Sequence, residues 1–71
     1  MMSLNGREQK SIERYCRVYD MTDRQATVYF LHRKGLKNYR IARNLGITNG
    51  TVRNHLNKAK RKREEVLENR S

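Results

Sequence analysis

The chain is 71 residues long, 35% hydrophobic and 34% charged, with 17 Lys and Arg against 7 Asp and Glu and a formal net charge of +10. That length accommodates one small domain with one thin core, burying only about 60% of its unfolded surface. A lone Cys16 excludes an intrachain disulfide, and no apolar run reaches the ~18 residues of a membrane span or forms a signal-peptide core after Met1, so a soluble, cytoplasmic protein is expected.

The charge is unevenly placed. The window 24–63 holds 12 cations and no Asp or Glu, while Glu8, Glu13, Asp20 and Asp23 precede it and Glu64, Glu65 and Glu68 come after it. Such a chain repels itself, and an anionic polymer relieves that repulsion. Charge alone leaves DNA, RNA, acidic lipid and acidic protein open as the polyanion.

Along the chain, 1–6 reads as a flexible leader. Over 7–19, Ile12, Tyr15, Cys16 and Tyr19 fall at i, i+3, i+4 and i+7, one face of an amphipathic helix. Thr22 with Gln25 forms a capping box for the next helix, Asp23 suits the positive end of its dipole, and Met21 can staple onto Ala26. That helix is expected to run to about Lys34 and stop at Gly35. Its centre, Val28-Tyr29-Phe30-Leu31, is apolar on nearly every side. One flank is expected to pack on the helix-turn-helix downstream, the other on the first helix or on a second protein chain.

A short helix over 38–44 directs Ile41, Ala42 and Leu45 inward. Gly46 supplies the turn, Ile47 plugs the core, and Thr48 caps a further helix in which Val52, Leu56 and Ala59 repeat at i, i+4 and i+7. One local signal competes: Thr48-Asn49-Gly50-Thr51 also suits a type I′ hairpin turn. The helix is preferred because the flanking strands would be very short and 54–68 has helical composition. Gly50 weakens the first turn by about 1 kcal/mol relative to Ala, either as a tolerated defect or for close backbone approach to a ligand. Nothing in 58–69 breaks the helix, which continues into a charged extension, 61–71, where Val66 and Leu67 offer a protein contact. The expected fold class is all-α: a small helix-turn-helix bundle of four helices, the last with a long charged C-terminal extension. The helix-turn-helix domain is placed at 7–60 and its motif at 38–57.

Met21-Thr22-Asp23-Arg24-Gln25, Val28, Leu31, Gly35-Leu36, Asn38, Ile41-Ala42, Leu45, Ile47-Thr48 and Thr51-Val52-Arg53-Asn54-His55-Leu56 together resemble the LuxR-type DNA-binding domain, without gaps, over about 21–60. That domain is closely related to sigma-factor region four. The Thr-Val-Arg-x-His-Leu end resembles the LuxR type, and the basic 58–63 run with Glu-Glu-Val-Leu after it the sigma type. Two positions depart from the pattern. Lys37 stands where the family usually has Ser, and Arg40 where it usually has Glu, which removes an internal ion pair and adds charge toward the ligand.

In such a motif the second helix enters the major groove with its N-terminal residues at base edges. With Val52, Leu56 and Ala59 inward, Arg53 can pair with guanine and Asn54 or Asn57 with adenine, and the resemblance points to the same three as base readers. Asn38, Arg43, Thr48, Asn49 and Thr51 are candidates for phosphate contacts near two helix N-termini, with Lys58 and Arg61, among Lys60, Lys62 and Arg63, tracking the backbone further along. A solvated cation at Arg53 and plain surface amides at Asn54 and Asn57 are the alternatives. Tyr15, Tyr19, Tyr29 and Phe30 read as core or as a protein interface, and His55 as a packed or phosphate-facing side chain. No zinc site, no cofactor, no small-molecule ligand and no membrane partner is called for, and no catalytic constellation is present. The expected function is a sequence-specific regulator of transcription on double-stranded DNA, acting as a homodimer. The competing readings are an adaptor that binds RNA polymerase and a general basic chaperone of nucleic acid.

Overall fold

The structure, a computed structural model, describes residues 5–69. Three of its four helices start at a short polar side chain that holds amide groups of the first turn. In α1 (Gly6–Tyr19) Asn5 Oδ1 accepts from the Glu8 amide at 2.8 Å and Glu8 Oε1 accepts from the Asn5 amide at 3.2 Å. Asn5 and Gly6, expected in the leader, are therefore the cap and first residue of this helix. Residues 1–4 of the leader and 70–71 of the extension lie outside the described residues. Asp20 ends α1 in the left-handed region at φ 55, which a short polar side chain tolerates better than most.

The expected capping box opens α2 (Asp23–Arg33), with Thr22 Oγ1 accepting from the Gln25 amide at 3.2 Å and Gln25 Oε1 accepting from the Thr22 amide at 3.1 Å. Met21 and Ala26 are both buried, as a hydrophobic staple requires. The helix stops at Gly35, whose φ of +102 lets the chain turn while the Leu36 amide donates back to the Leu31 carbonyl at 3.2 Å. The short α3 (Asn38–Leu45) stops likewise at Gly46, φ 68, with the Ile47 amide donating to the Ala42 carbonyl at 3.0 Å. Then α4 (Asn49–Asn69) runs unbroken for 21 residues. The hairpin alternative loses because Val52, Leu56 and Ala59, at helical spacing, are 0–5% exposed, and burying them outweighs a local turn preference. Among the described residues there are four helices and no strand, the all-α helix-turn-helix arrangement expected.

The central element is α2, which packs on each of the other three helices; α1 also meets α4 but does not pack on α3. One core results, with Val28, Leu31, Ile41 and Val52 as its largest fully buried side chains and Ile12 and Tyr29 on the α1 side. There Tyr15 stands edge-on to Tyr29 with centroids 5.4 Å apart. Glu8 forms an ion pair with Lys34, whose ammonium lies 5.6 Å from the centre of the Phe30 ring. At the other end of α1 the Lys62 ammonium donates to the Asp20 carbonyl at 2.8 Å, tying the extension of α4 to the body. Among the described residues no helix is long and apolar enough to cross a membrane.

These local interactions have two measurable consequences. A Cβ on Gly50 would meet only Thr48 Oγ1, at 3.9 Å, so Gly50→Ala is expected to raise stability by about 0.5–1 kcal/mol and the melting midpoint by several degrees in a circular-dichroism melt. Lys34 and the Asn5 amide hold the Glu8 carboxyl below its ordinary 4.5. The stability from this group is present above the ordinary value and is lost as pH falls through the lowered one. The gap in urea midpoint between the wild type and Glu8→Gln should therefore be widest at neutral pH and close on acidification below 4.5.

Candidate nucleic-acid interface

The turn at Gly46 sets α3 and α4 against each other, and Ile41, Ala42, Val52, Leu56 and Ala59 hold their inner sides in the common core. What remains outside on the first half of α4 is polar. Asn49, Arg53, Asn54, Asn57 and Lys58 are exposed, and Arg53, Asn54 and Asn57, at i, i+1 and i+4, share one face of the helix. Among the described residues no protein group engages any of these three side chains, so all their donors and acceptors are free for a ligand.

The two helix N-termini differ. At α4, Thr48 Oγ1 accepts from the Thr51 amide at 3.2 Å and lies 2.9 Å from Thr51 Oγ1, so both hydroxyls serve the cap while the Asn49 and Gly50 amides stay unclaimed. At α3 the cap position is Lys37, which makes no side-chain hydrogen bond to the first turn. Asn38 is half-buried beside it and Arg43 is exposed further along. A helix N-terminus with unclaimed amides and a cation at its cap presents two features that attract an anion. In the sequence Lys37 stands out only as a departure from the family pattern; the signal for more is a cation where a capping hydroxyl usually stands.

Further along α4, Lys58, Lys60 and Arg61 are exposed. Lys62, expected beside them on the nucleic-acid backbone, is instead spent on the Asp20 carbonyl, and Arg63 is half-buried. His55 is half-buried, with Nδ1 in the interior and no hydrogen-bond partner among the described residues. Of the aromatic residues expected at a protein interface, Tyr29 is only 4% exposed and belongs to the α1–α2 core, because α1 covers that flank of α2. Tyr15, Tyr19 and Phe30 are half-buried around it. Cys16 donates to Asp23 Oδ1 at 3.5 Å; burial and that carboxylate push its thiol pKa up, which keeps it protonated and poorly nucleophilic. Among the described residues no group of His, Cys, Asp and Glu could hold a metal ion.

A family model described as sigma-70, region 4 matches residues 20–62, more than half of the chain and all of the helix-turn-helix. The chain belongs to the sigma-70 region 4 family. Region 4 is a helix-turn-helix domain of the DNA-binding, non-enzymatic type, and interaction with DNA and RNA polymerase in transcription is general to it. The match begins at Asp20, just past the end of α1, so all of that helix lies outside it. No curated protein and no solved structure matches the chain significantly.

The uncapped start of α3 has a direct consequence. Lys37→Ser supplies the missing acceptor for a first-turn amide and removes a cation from the positive end of the dipole. It is expected to stabilise the fold by about 0.5–1 kcal/mol, measured as a shift in urea midpoint.

Proposed function

We propose that this region 4 domain is a small sequence-specific regulator of transcription that binds double-stranded DNA with 49–60 of α4 in the major groove. The observation that supports it most is the unengaged set Arg53, Asn54 and Asn57 on the outer face of a helix whose inner face is fully buried. A guanidinium can donate two hydrogen bonds to guanine O6 and N7, and a carboxamide can match adenine N6 and N7. Asn38 at the start of α3, Thr48, Asn49 and Thr51 at the start of α4, and Arg43 in the last turn of α3 take phosphates, fixing register without reading sequence. Lys58 and Arg61 extend the phosphate contacts along α4. The run Thr51-Val52-Arg53-Asn54-His55-Leu56 supports a LuxR-like manner of reading within the wider family. The DNA-binding unit is 7–60, and 61–71 is an extension of it. One helix carries few base contacts, so two copies on a two-fold site raise affinity and specificity together, and we infer a homodimer.

An adaptor role on RNA polymerase is the second reading. It is favoured by the family's general interaction with polymerase and by Val18 and Leu67, each 40% exposed on helices that carry few other bare apolar side chains. The two readings are compatible, and co-purification with polymerase at high salt, where phosphate contacts fade, supports the second.

Arg53→Ala should lose about 1–3 kcal/mol on the preferred sequence and little on others, relaxing specificity. Arg61→Ala should weaken every sequence alike and reduce the slope of log affinity against log salt by about 0.9. Fluorescence anisotropy on preferred and scrambled duplexes across a salt series distinguishes them. Equal losses on all sequences for both variants would reject base reading by Arg53.

A further inference from the structure

On α1, Arg7, Lys10, Arg14 and Arg17 fall at i, i+3, i+7 and i+10, a stripe along one face of the helix. Ile12, Tyr15, Cys16 and Tyr19 turn the opposite face into the core, so the stripe points out from the body. All four residues are exposed, and among the described residues none of the four side chains has an ion pair or hydrogen bond. Of the two acids within α1, Glu8 is turned inward onto Lys34, leaving Glu13 alone at the edge of the stripe. A shallow depression of about 330 Å³ lies along it, lined by Lys10, Glu13, Arg14, Arg17 and Val18. The helix does not pack on α3 and all of it lies outside the family match, so the groove-binding role proposed for α4 does not by itself account for this surface.

We infer that the outer face of α1 is a second docking surface, and that its occupant is a second DNA duplex, or a distant segment of the one already held. The stripe spans about 15 Å, against which a duplex presents roughly one charge per 1.7 Å of its axis. A protein partner fits less well. A protein interface needs a desolvated apolar centre, and Val18 is the only large apolar side chain exposed on this helix. A second copy of this chain docking here face to face would set the four cations of one stripe against the four of the other. The inference rests on the proposed function only in that α4 holds the first duplex. The protein then bridges.

Bridging is tested with the full chain, a biotinylated duplex on beads and a fluorescent second duplex. Binding to a single duplex is measured in parallel by anisotropy at high dilution. The wild type should retain the fluorescent duplex on the beads. Arg14→Gln/Arg17→Gln should retain about tenfold less, with affinity for a single duplex and the melting curve unchanged, and Arg14→Lys/Arg17→Lys should restore retention. Bridging that survives the glutamine pair overturns the inference and points to a dimer holding one duplex per α4. No retention by the wild type despite normal single-duplex binding overturns it alone, whereas no single-duplex binding at all overturns the function proposed for α4 as well. Retention of an RNA duplex in preference to DNA, or of a Glu-rich helical peptide with no second duplex, overturns the choice of occupant.

Discussion

The burial of α2 among the other three helices is the interaction on which the rest depends. Val28 and Leu31 of α2 share the fully buried interior with Ile41 of α3 and Val52 of α4. With 8 residues, α3 is too short to persist in water alone, because isolated helices below about 12–15 residues are marginal. Its place, and hence the angle between α3 and α4, is set by this shared core and by the turn at Gly46. A cavity opened at Leu31 or Val28 therefore damages the geometry of the interface as well as stability.

Charge pulls the other way. A thin core must hold together a chain that carries +10, and the acids are placed where they help most locally. Glu8 takes Lys34 and Asp23 begins α2 at the positive end of its dipole, while Lys62 goes to a main-chain oxygen, that of Asp20. Each of these draws on a group near α1 or the start of α2. Among the described residues the cations of α3 and the first half of α4 have no acidic partner, which costs stability in the free protein and favours a polyanion. The same logic leaves the α1 stripe unpaired.

Local chemistry made much of the fold legible. Thr22 with Gln25, Gly46 with Thr48, and the spacing of Val52, Leu56 and Ala59 each specify an element without reference to the rest of the chain, and the structure has all three. The start of α1 was legible too, since Asn5 and Glu8 have capping-box spacing, but Gly6 between them reads as a breaker and masks it. Long-range pairings were not legible: nothing local to Lys62 distinguishes it from Lys60, and only the tertiary course of α4 brings it to Asp20. Tyr29 shows the same limit. On a helix apolar nearly all round, periodicity cannot say which flank a neighbouring helix covers and which remains for a partner. At the interface, residue type and phase on α4 pointed to Arg53, Asn54 and Asn57, and the structure leaves all three exposed; the uncapped start of α3 at Lys37 needed the backbone to be seen.

In the proposed function DNA meets this domain through α4 and the two helix N-termini while the α2 core stays closed. Amide chemical-shift mapping during titration with one short duplex at limiting concentration tests it most directly. The largest shifts are expected at Asn38, across 48–54 and at Asn57 and Lys58, with Val28 and Leu31 nearly still. Shifts concentrated on α1 and the 61–69 tail, with Arg53, Asn54 and Asn57 unmoved, would contradict it.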